Sequence, residues 1–99
     1  LEGRKVLVAC GIGNPRAFVA TVASMGARVA RHRFFRDHHD YSKSDAEELA
    51  AADLPVVVTE KDAVKLEPLW ATETPLLVVR IRFEALDGGE EIARLLDRF

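Results

Sequence analysis

Apolar residues fall along this chain in short runs that alternate with stretches spaced for helices. Val6-Leu7-Val8-Ala9 is a continuous apolar run, the pattern of a strand covered on both faces. Gly11 and Gly13 interrupt it. Asn14 is placed to cap a helix, and Pro15 suits the first helical position, where its missing N–H would have no partner in any case. Phe18, Val19, Val22 and Met25 recur at helical spacing, and Gly26 predicts a left-handed stop. A second strand is predicted from Arg28 to Phe35, with Val29 its clearest apolar member, and Asp37 to Ser42 reads as a polar turn. Ser44 with Glu47 predicts a capping box for a short Ala-rich helix reaching about Ala52. Pro55 opens a third strand, Val56-Val57-Val58. Thr59 predicts the cap of a helix beginning Glu60-Lys61-Asp62, which Pro68 stops. Pro75 opens the fourth strand, Leu76 to Phe83. Beyond Gly88 and Gly89, Ile92, Leu95, Leu96 and Phe99 share one helical face. Glu90 and Glu91 would lie at that helix's positive end and Arg98 at its negative end, so a final amphipathic helix is predicted.

Strands alternating with helices predict an α/β fold: a single domain over 1–99 with a four-stranded, mostly parallel sheet flanked by helices, a Rossmann-like two- or three-layer sandwich. In such sheets ligands gather beyond the C-terminal ends of the strands. Three loops leave those ends, Gly11 to Pro15, Asp37 to Ser42 and Thr59 to Asp62, and the unusual polar residues concentrate in them.

Composition adds bounds. Ninety-nine residues fit one domain, and 48% apolar with 30% charged residues is ordinary for a globular protein. A net charge of −2 gives no overall electrostatic reason to bind nucleic acid. Arg28, Arg31, Arg33 and Arg36 still form a local basic cluster, readable either as a solvated strand face or as a surface meeting anions or a partner domain. Cys10 is the only cysteine, so no internal disulfide can form; at a strand end it reads as a small buried residue. No apolar run approaches the ~20 residues of a membrane span, and no signal-peptide pattern is present. The chain opens on Leu1, which favours a piece of a longer product.

Each loop supports a structural and a chemical reading. Gly11-Ile12-Gly13-Asn14-Pro15 follows a strand and opens a helix, as a dinucleotide site would, but Arg16 stands where the third glycine belongs and Pro15 removes a backbone donor. No phosphate loop of the Gly-Lys-Ser/Thr kind occurs. A tight turn with an Asn cap accounts for most of this loop. Asp37-His38-His39-Asp40-Tyr41-Ser42 suggests a metal, yet adjacent histidines point apart and no Cys/His cluster supplies further ligands; His32 sits on the predicted strand. A histidine beside an aspartate also suits proton transfer, although from spacing alone a polar turn suffices. In Thr59-Glu60-Lys61-Asp62 the acids suit a first helical turn, whereas Lys61 needs an anion or solvent. Lys65, one turn on, can extend the same positive strip.

Together, Gly-Ile-Gly-Asn-Pro at 11–15, Asp-His-His-Asp-Tyr-Ser at 37–42 and Thr-Glu-Lys-Asp-Ala-Val-Lys-Leu at 59–66 resemble the C-terminal half of the tetraacyldisaccharide 4'-kinases, the lipid A kinases of Gram-negative bacteria. The third motif is the most specific, and the resemblance covers nearly the whole chain. It implies an enzyme that uses ATP and Mg²⁺ to phosphorylate the 4'-hydroxyl of a tetraacyldisaccharide 1-phosphate at the cytoplasmic side of the inner membrane. The family's phosphate loop, Mg²⁺ ligands, catalytic aspartate and membrane anchor belong to an N-terminal domain. That P-loop domain and the lipid A disaccharide precursor are therefore the implied partners, and this chain alone is expected to be inactive and to hold no cofactor tightly. The family's catalytic-support histidine maps onto His38, with Asp37 beside it; His39 is not the recurring histidine. Asn14, Thr59, Glu60, Lys61 and Asp62 are the implied cofactor-binding residues, lining an interdomain cleft. The family tends to follow Asn-Pro with one residue and then Arg-Phe-Phe. Here Ala17 takes the arginine place and Val19 that of the second aromatic. A stand-alone nucleotide-binding module and a noncatalytic interaction module are the alternatives. The shared-cleft reading requires His38, Asn14 and Lys61 to converge on one rim.

Overall fold

Val6, Val8 and Cys10 point to one side of the first strand and Leu7 and Ala9 to the other, and both sides are buried. That alternation sets the layering. The computed structural model of the chain describes residues 3–83 and 91–97. Its elements are β1 (Lys5–Cys10), α1 (Pro15–Ser24), β2 (Arg28–Phe34), α2 (Lys43–Ala50), β3 (Val56–Thr59), α3 (Glu60–Leu66) with a 3-10 turn over Glu67–Leu69, β4 (Leu76–Phe83) and β5 (Glu91–Asp97). The sheet order is β2-β1-β3-β4-β5. The first four strands run parallel, as the alternation of strands and helices predicts, and β5 returns antiparallel along β4.

Phe18 and Val22 of α1 pack with Val6, Val8, Cys10, Val57, Leu77 and Val79 on one face of the sheet. Ala46 and Leu49 of α2, Ala63 and Leu66 of α3, and Trp70 pack with Leu7, Ala9, Val56, Val58, Leu76 and Val78 on the other. The result is three layers. Trp70 also donates its indole N–H to the Thr74 carbonyl at 2.8 Å, which satisfies the one polar atom of a largely buried ring.

The caps follow the sequence with one shift. Asn14 Oδ1 accepts from the Ala17 N–H at 3.3 Å, Pro15 is the first helical residue, and Gly26 lies at φ +94°. Thr59 caps α3 through Asp62 N–H. For α2 the box is built by Ser42 and Asp45 rather than by Ser44 and Glu47. Ser42 Oγ accepts from Asp45 N–H at 3.1 Å and Asp45 Oδ2 accepts from Ser42 N–H at 3.0 Å. Both pairs have the right spacing; the earlier start wins because Asp45 can then also bond His39.

The predicted final helix is corrected outright. Glu91–Asp97 is a strand paired with Leu77–Phe83 from Leu77↔Asp97 to Phe83↔Glu91. Its local helical pattern loses to the open edge of β4, whose unpaired N–H and C=O groups are met by a strand returning close in sequence. Gly88, Gly89, Glu90, Arg98 and Phe99, which that reading also used, lie outside the described residues.

A candidate functional site at the C-terminal edge of the sheet

The sheet order places β1 beside β3 while their following helices cover opposite faces, which is a topological switch point. Anionic ligands commonly sit in such a crevice, held by backbone N–H groups. Here the crevice holds an anion of the chain's own. Asp62 is only 3% exposed, and its carboxylate accepts from the Gly11 N–H at 3.3 and 3.2 Å. It also accepts from Thr59 Oγ1 at 2.7 Å and from the Tyr41 hydroxyl at 2.9 Å. Three loops distant in sequence are thereby tied to one carboxylate. Burial and the adjacent Asp62 charge push the Tyr41 phenol well above its ordinary range, so it stays a donor. The same causes push the Cys10 thiol up to about 11. Cys10 is buried at the end of β1, so it is a packing residue at neutral pH.

The fit between the first two loops is close. A Cβ added at Gly11 would lie 2.9 Å from the Arg36 carbonyl oxygen and 3.3 Å from the Tyr41 hydroxyl. The glycine is therefore required by the approach of the second loop. With the Gly11 N–H engaged by Asp62, the first loop lacks the free donor that a dinucleotide site would use there, which counts against that alternative.

The second loop divides its two histidines cleanly. His39 is a structural residue. Its ring bonds Asp45 Oδ2 at 3.0 Å, stacks on Phe35 at 4.7 Å and meets Tyr41 edge-on at 4.9 Å, and its carbonyl accepts from Lys65 Nζ at 3.0 Å. His38 faces solvent, with 75% of its side chain exposed, and its backbone is left-handed at φ +61°. A histidine in that conformation is strained where glycine would not be. Its Nε2 lies 3.8 Å from Asp37 Oδ2, a charge contact too long for a hydrogen bond.

Gly11, Asp37, His38, Lys61, Asp62 and Lys65 line one small cavity of about 70 Å³. Of the three residues that the shared-rim reading brings together, His38 and Lys61 meet at this cavity. Asn14 is not among the lining residues, and its side chain caps α1. Of the other residues singled out in the third loop, Thr59 spends its hydroxyl on Asp62 and Glu60 pairs with Arg80 at 3.0 Å, which leaves Lys61 and Asp62 at the cavity. Tyr41 and Arg80 were not individually legible, because their roles depend on partners in other loops. Among the described residues no group of three His, Cys, Asp or Glu side chains could hold a metal ion. His32 stacks on Phe34 at 4.5 Å along β2, an edge strand whose Arg28, Arg31 and Arg33 are exposed. Arg33 pairs with Glu48 at 3.4 Å and lies 4.6 Å from the centre of the Phe35 ring.

Fold and rim define a doubly wound α/β domain with a small polar cavity at the C-terminal strand edge. Comparison with known proteins makes the class specific. The family model for tetraacyldisaccharide-1-P 4'-kinase matches residues 1–99, and the chain belongs to that family. A tetraacyldisaccharide 4'-kinase of Anaeromyxobacter sp. (strain Fw109-5) is 40% identical over 98% of this chain and 27% of its own length. One from Methylobacterium radiotolerans is 41% identical over 95% of this chain and 29% of its own. The chain thus spans a little over a quarter of these curated relatives. No solved structure matches it. No helix among the described residues is long and apolar enough to cross a membrane.

Proposed function

We propose that this chain serves as the C-terminal domain of a kinase that moves the γ-phosphate of ATP to the 4'-hydroxyl of a tetraacyldisaccharide 1-phosphate in lipid A synthesis. In this reading, Asp37, His38 and Lys61 form its contribution to the interdomain cleft. The reading is carried by one observation: residues from three separate loops, Gly11, His38 and Lys61, line a single cavity at the strand edge where such folds place their ligands. Family membership and the relatives' greater length support the same assignment. The remaining length would supply the P-loop domain, the Mg²⁺ ligands, the catalytic aspartate and the attachment to the cytoplasmic face of the inner membrane.

Size limits what this side of the cleft can hold. A cavity of about 70 Å³ suits one phosphoryl group, whereas whole small-molecule ligands occupy roughly 300 Å³ or more. Nucleotide and metal therefore belong mainly to the other domain. Lys61, exposed and without an ion-pair partner among the described residues, can offset charge on a phosphate at the cavity mouth. In the reaction the 4'-oxygen bonds to the γ-phosphorus, the bond from that phosphorus to the departing ADP oxygen breaks, and the hydroxyl proton would pass to the catalytic aspartate supplied by the other domain. In this reading His38, which is exposed beside Asp37, supports that proton transfer, while positioning and charge compensation carry most of the acceleration.

The test is turnover in the full-length kinase. His38→Ala should lower kcat on the order of a hundredfold or more, and His39→Ala should act chiefly through stability. Unchanged turnover in the folded His38→Ala protein would remove the assigned role. The alternative of a stand-alone nucleotide module predicts saturable NMR shifts at Gly11 to Asn14 on adding ATP or a dinucleotide to this chain.

A further inference from the structure

His38 holds a left-handed backbone at the tip of a loop, yet little of its own side chain is anchored. Something else must hold the loop. On its N-terminal side, the Arg36 carbonyl packs where a Gly11 Cβ would lie at 2.9 Å, and it accepts the His39 N–H at 3.0 Å. On its C-terminal side, the Tyr41 hydroxyl is bonded to Asp62, and the Tyr41 ring meets the stacked pair of Phe35 and His39 edge-on, at 5.0 and 4.9 Å. Asp62 also binds the Gly11 N–H, so both ends of the loop return to one buried carboxylate and the glycine it fixes.

From this arrangement we infer that Asp62 and Tyr41 are positioning residues: their buried hydrogen bond fixes the Arg36-to-Tyr41 loop against Gly11, and so sets where the His38 imidazole stands relative to the reacting hydroxyl. Asp62 acts from beneath the rim, where three donors already occupy its carboxylate, rather than by touching nucleotide. The inference rests on the role proposed for His38 and goes beyond it in naming what holds that residue. Reacting groups tolerate little displacement, and an error near 1 Å can cost on the order of a hundredfold in rate.

The experiment is Tyr41→Phe in the full-length kinase, which keeps the ring and removes only the hydroxyl. The expected result is a fall in kcat on the order of tenfold with KM for ATP and for the disaccharide unchanged. Trp70→Phe, which removes the indole donor at the opposite end of the sheet, should lower thermal stability and leave kcat alone. His38→Ala with Tyr41→Phe should be no slower than His38→Ala by itself. If His38→Ala slows the enzyme while folded Tyr41→Phe does not, the positioning inference is wrong and the catalytic reading stands. If His38→Ala has no effect, the catalytic reading is wrong as well. Should Tyr41→Phe fold poorly, Gly11→Ala tests the same link by pressing its Cβ on Arg36, and an unchanged kcat there would overturn the inference equally.

Discussion

Tyr41 donates its hydroxyl to Asp62 at 2.9 Å across 21 positions of sequence, and the carboxylate that receives it is 3% exposed. Buried carboxylates are stable only when their oxygens are well supplied with donors. Here the Gly11 N–H, Thr59 Oγ1 and Tyr41 hydroxyl supply them. Asp62→Ala would leave these donors without their acceptor and should cost about 3 kcal/mol of stability. Asp62→Asn, which keeps one acceptor oxygen, should cost less. Urea unfolding of the two variants checks the order.

The first loop gives a paired test of steric fit. Alanine at Gly11 would press on the backbone oxygen of Arg36, which cannot swing aside as a side-chain end would. Gly11→Ala should lose roughly 1–3 kcal/mol, the usual cost of overpacking. At Gly13 the nearest atom to an added Cβ is Asp37 Oδ2 at 3.8 Å, an ordinary contact. Gly13→Ala should be close to neutral. Thermal unfolding of both variants distinguishes a required glycine from a tolerated one.

His38 and His39 should respond to substitution in opposite ways. His38→Gly relieves a left-handed backbone at φ +61° and removes no buried contact, so it should raise stability by about 1 kcal/mol. It should also remove whatever His38 contributes to turnover. His39→Ala breaks the bond to Asp45 and two ring contacts, and should lower stability. Chemical denaturation of the two single variants gives the signs directly.

The pH limits of stability follow from three groups. Folding favours the neutral Cys10 thiol, raised to about 11 from an ordinary 9.0, and the neutral Tyr41 phenol, raised from an ordinary 10.0. Their contribution is whole below the unfolded values and is lost as pH rises through the folded ones, so stability should fall from about pH 9 upward. Asp45 behaves in the reverse sense. The Ser42 N–H and the His39 ring hold its carboxyl below the ordinary 3.8, so its contribution is present above that value and disappears as pH falls through the folded one. Asp45→Asn should flatten the acid limb of a stability profile and, because the Asp45 charge also helps raise the Tyr41 phenol, slightly ease the alkaline limb. Circular dichroism across the pH range measures both limbs.

Most of the fold was legible because local and global preferences agree. The Val6–Ala9 and Val56–Val58 runs, the Asn14-Pro15 and Thr59 helix starts and Gly26 each carry their own physical instruction, and the structure obeys it. The capping box of α2 was harder, since Ser42 with Asp45 and Ser44 with Glu47 offer the same spacing, and His39 breaks the tie from outside the helix. The last segment was misread for a similar reason: Ile92, Leu95 and Leu96 suit a helix locally, but the open flank of β4 takes them as strand β5. At the site, the motifs located the three loops correctly. They did not reveal that Asp62 is the buried centre and Lys61 the exposed neighbour, because an acid in a first helical turn looks the same in sequence whether it faces water or another loop.

A counter-charge that is part of the chain cannot diffuse away. The crevice between β1 and β3 is filled by Asp62 from the moment the domain folds, so the edge bearing His38 and Lys61 has its shape before any substrate arrives. The entropy of ordering these loops is spent in folding, and a ligand or partner that docks on this edge need not supply it again.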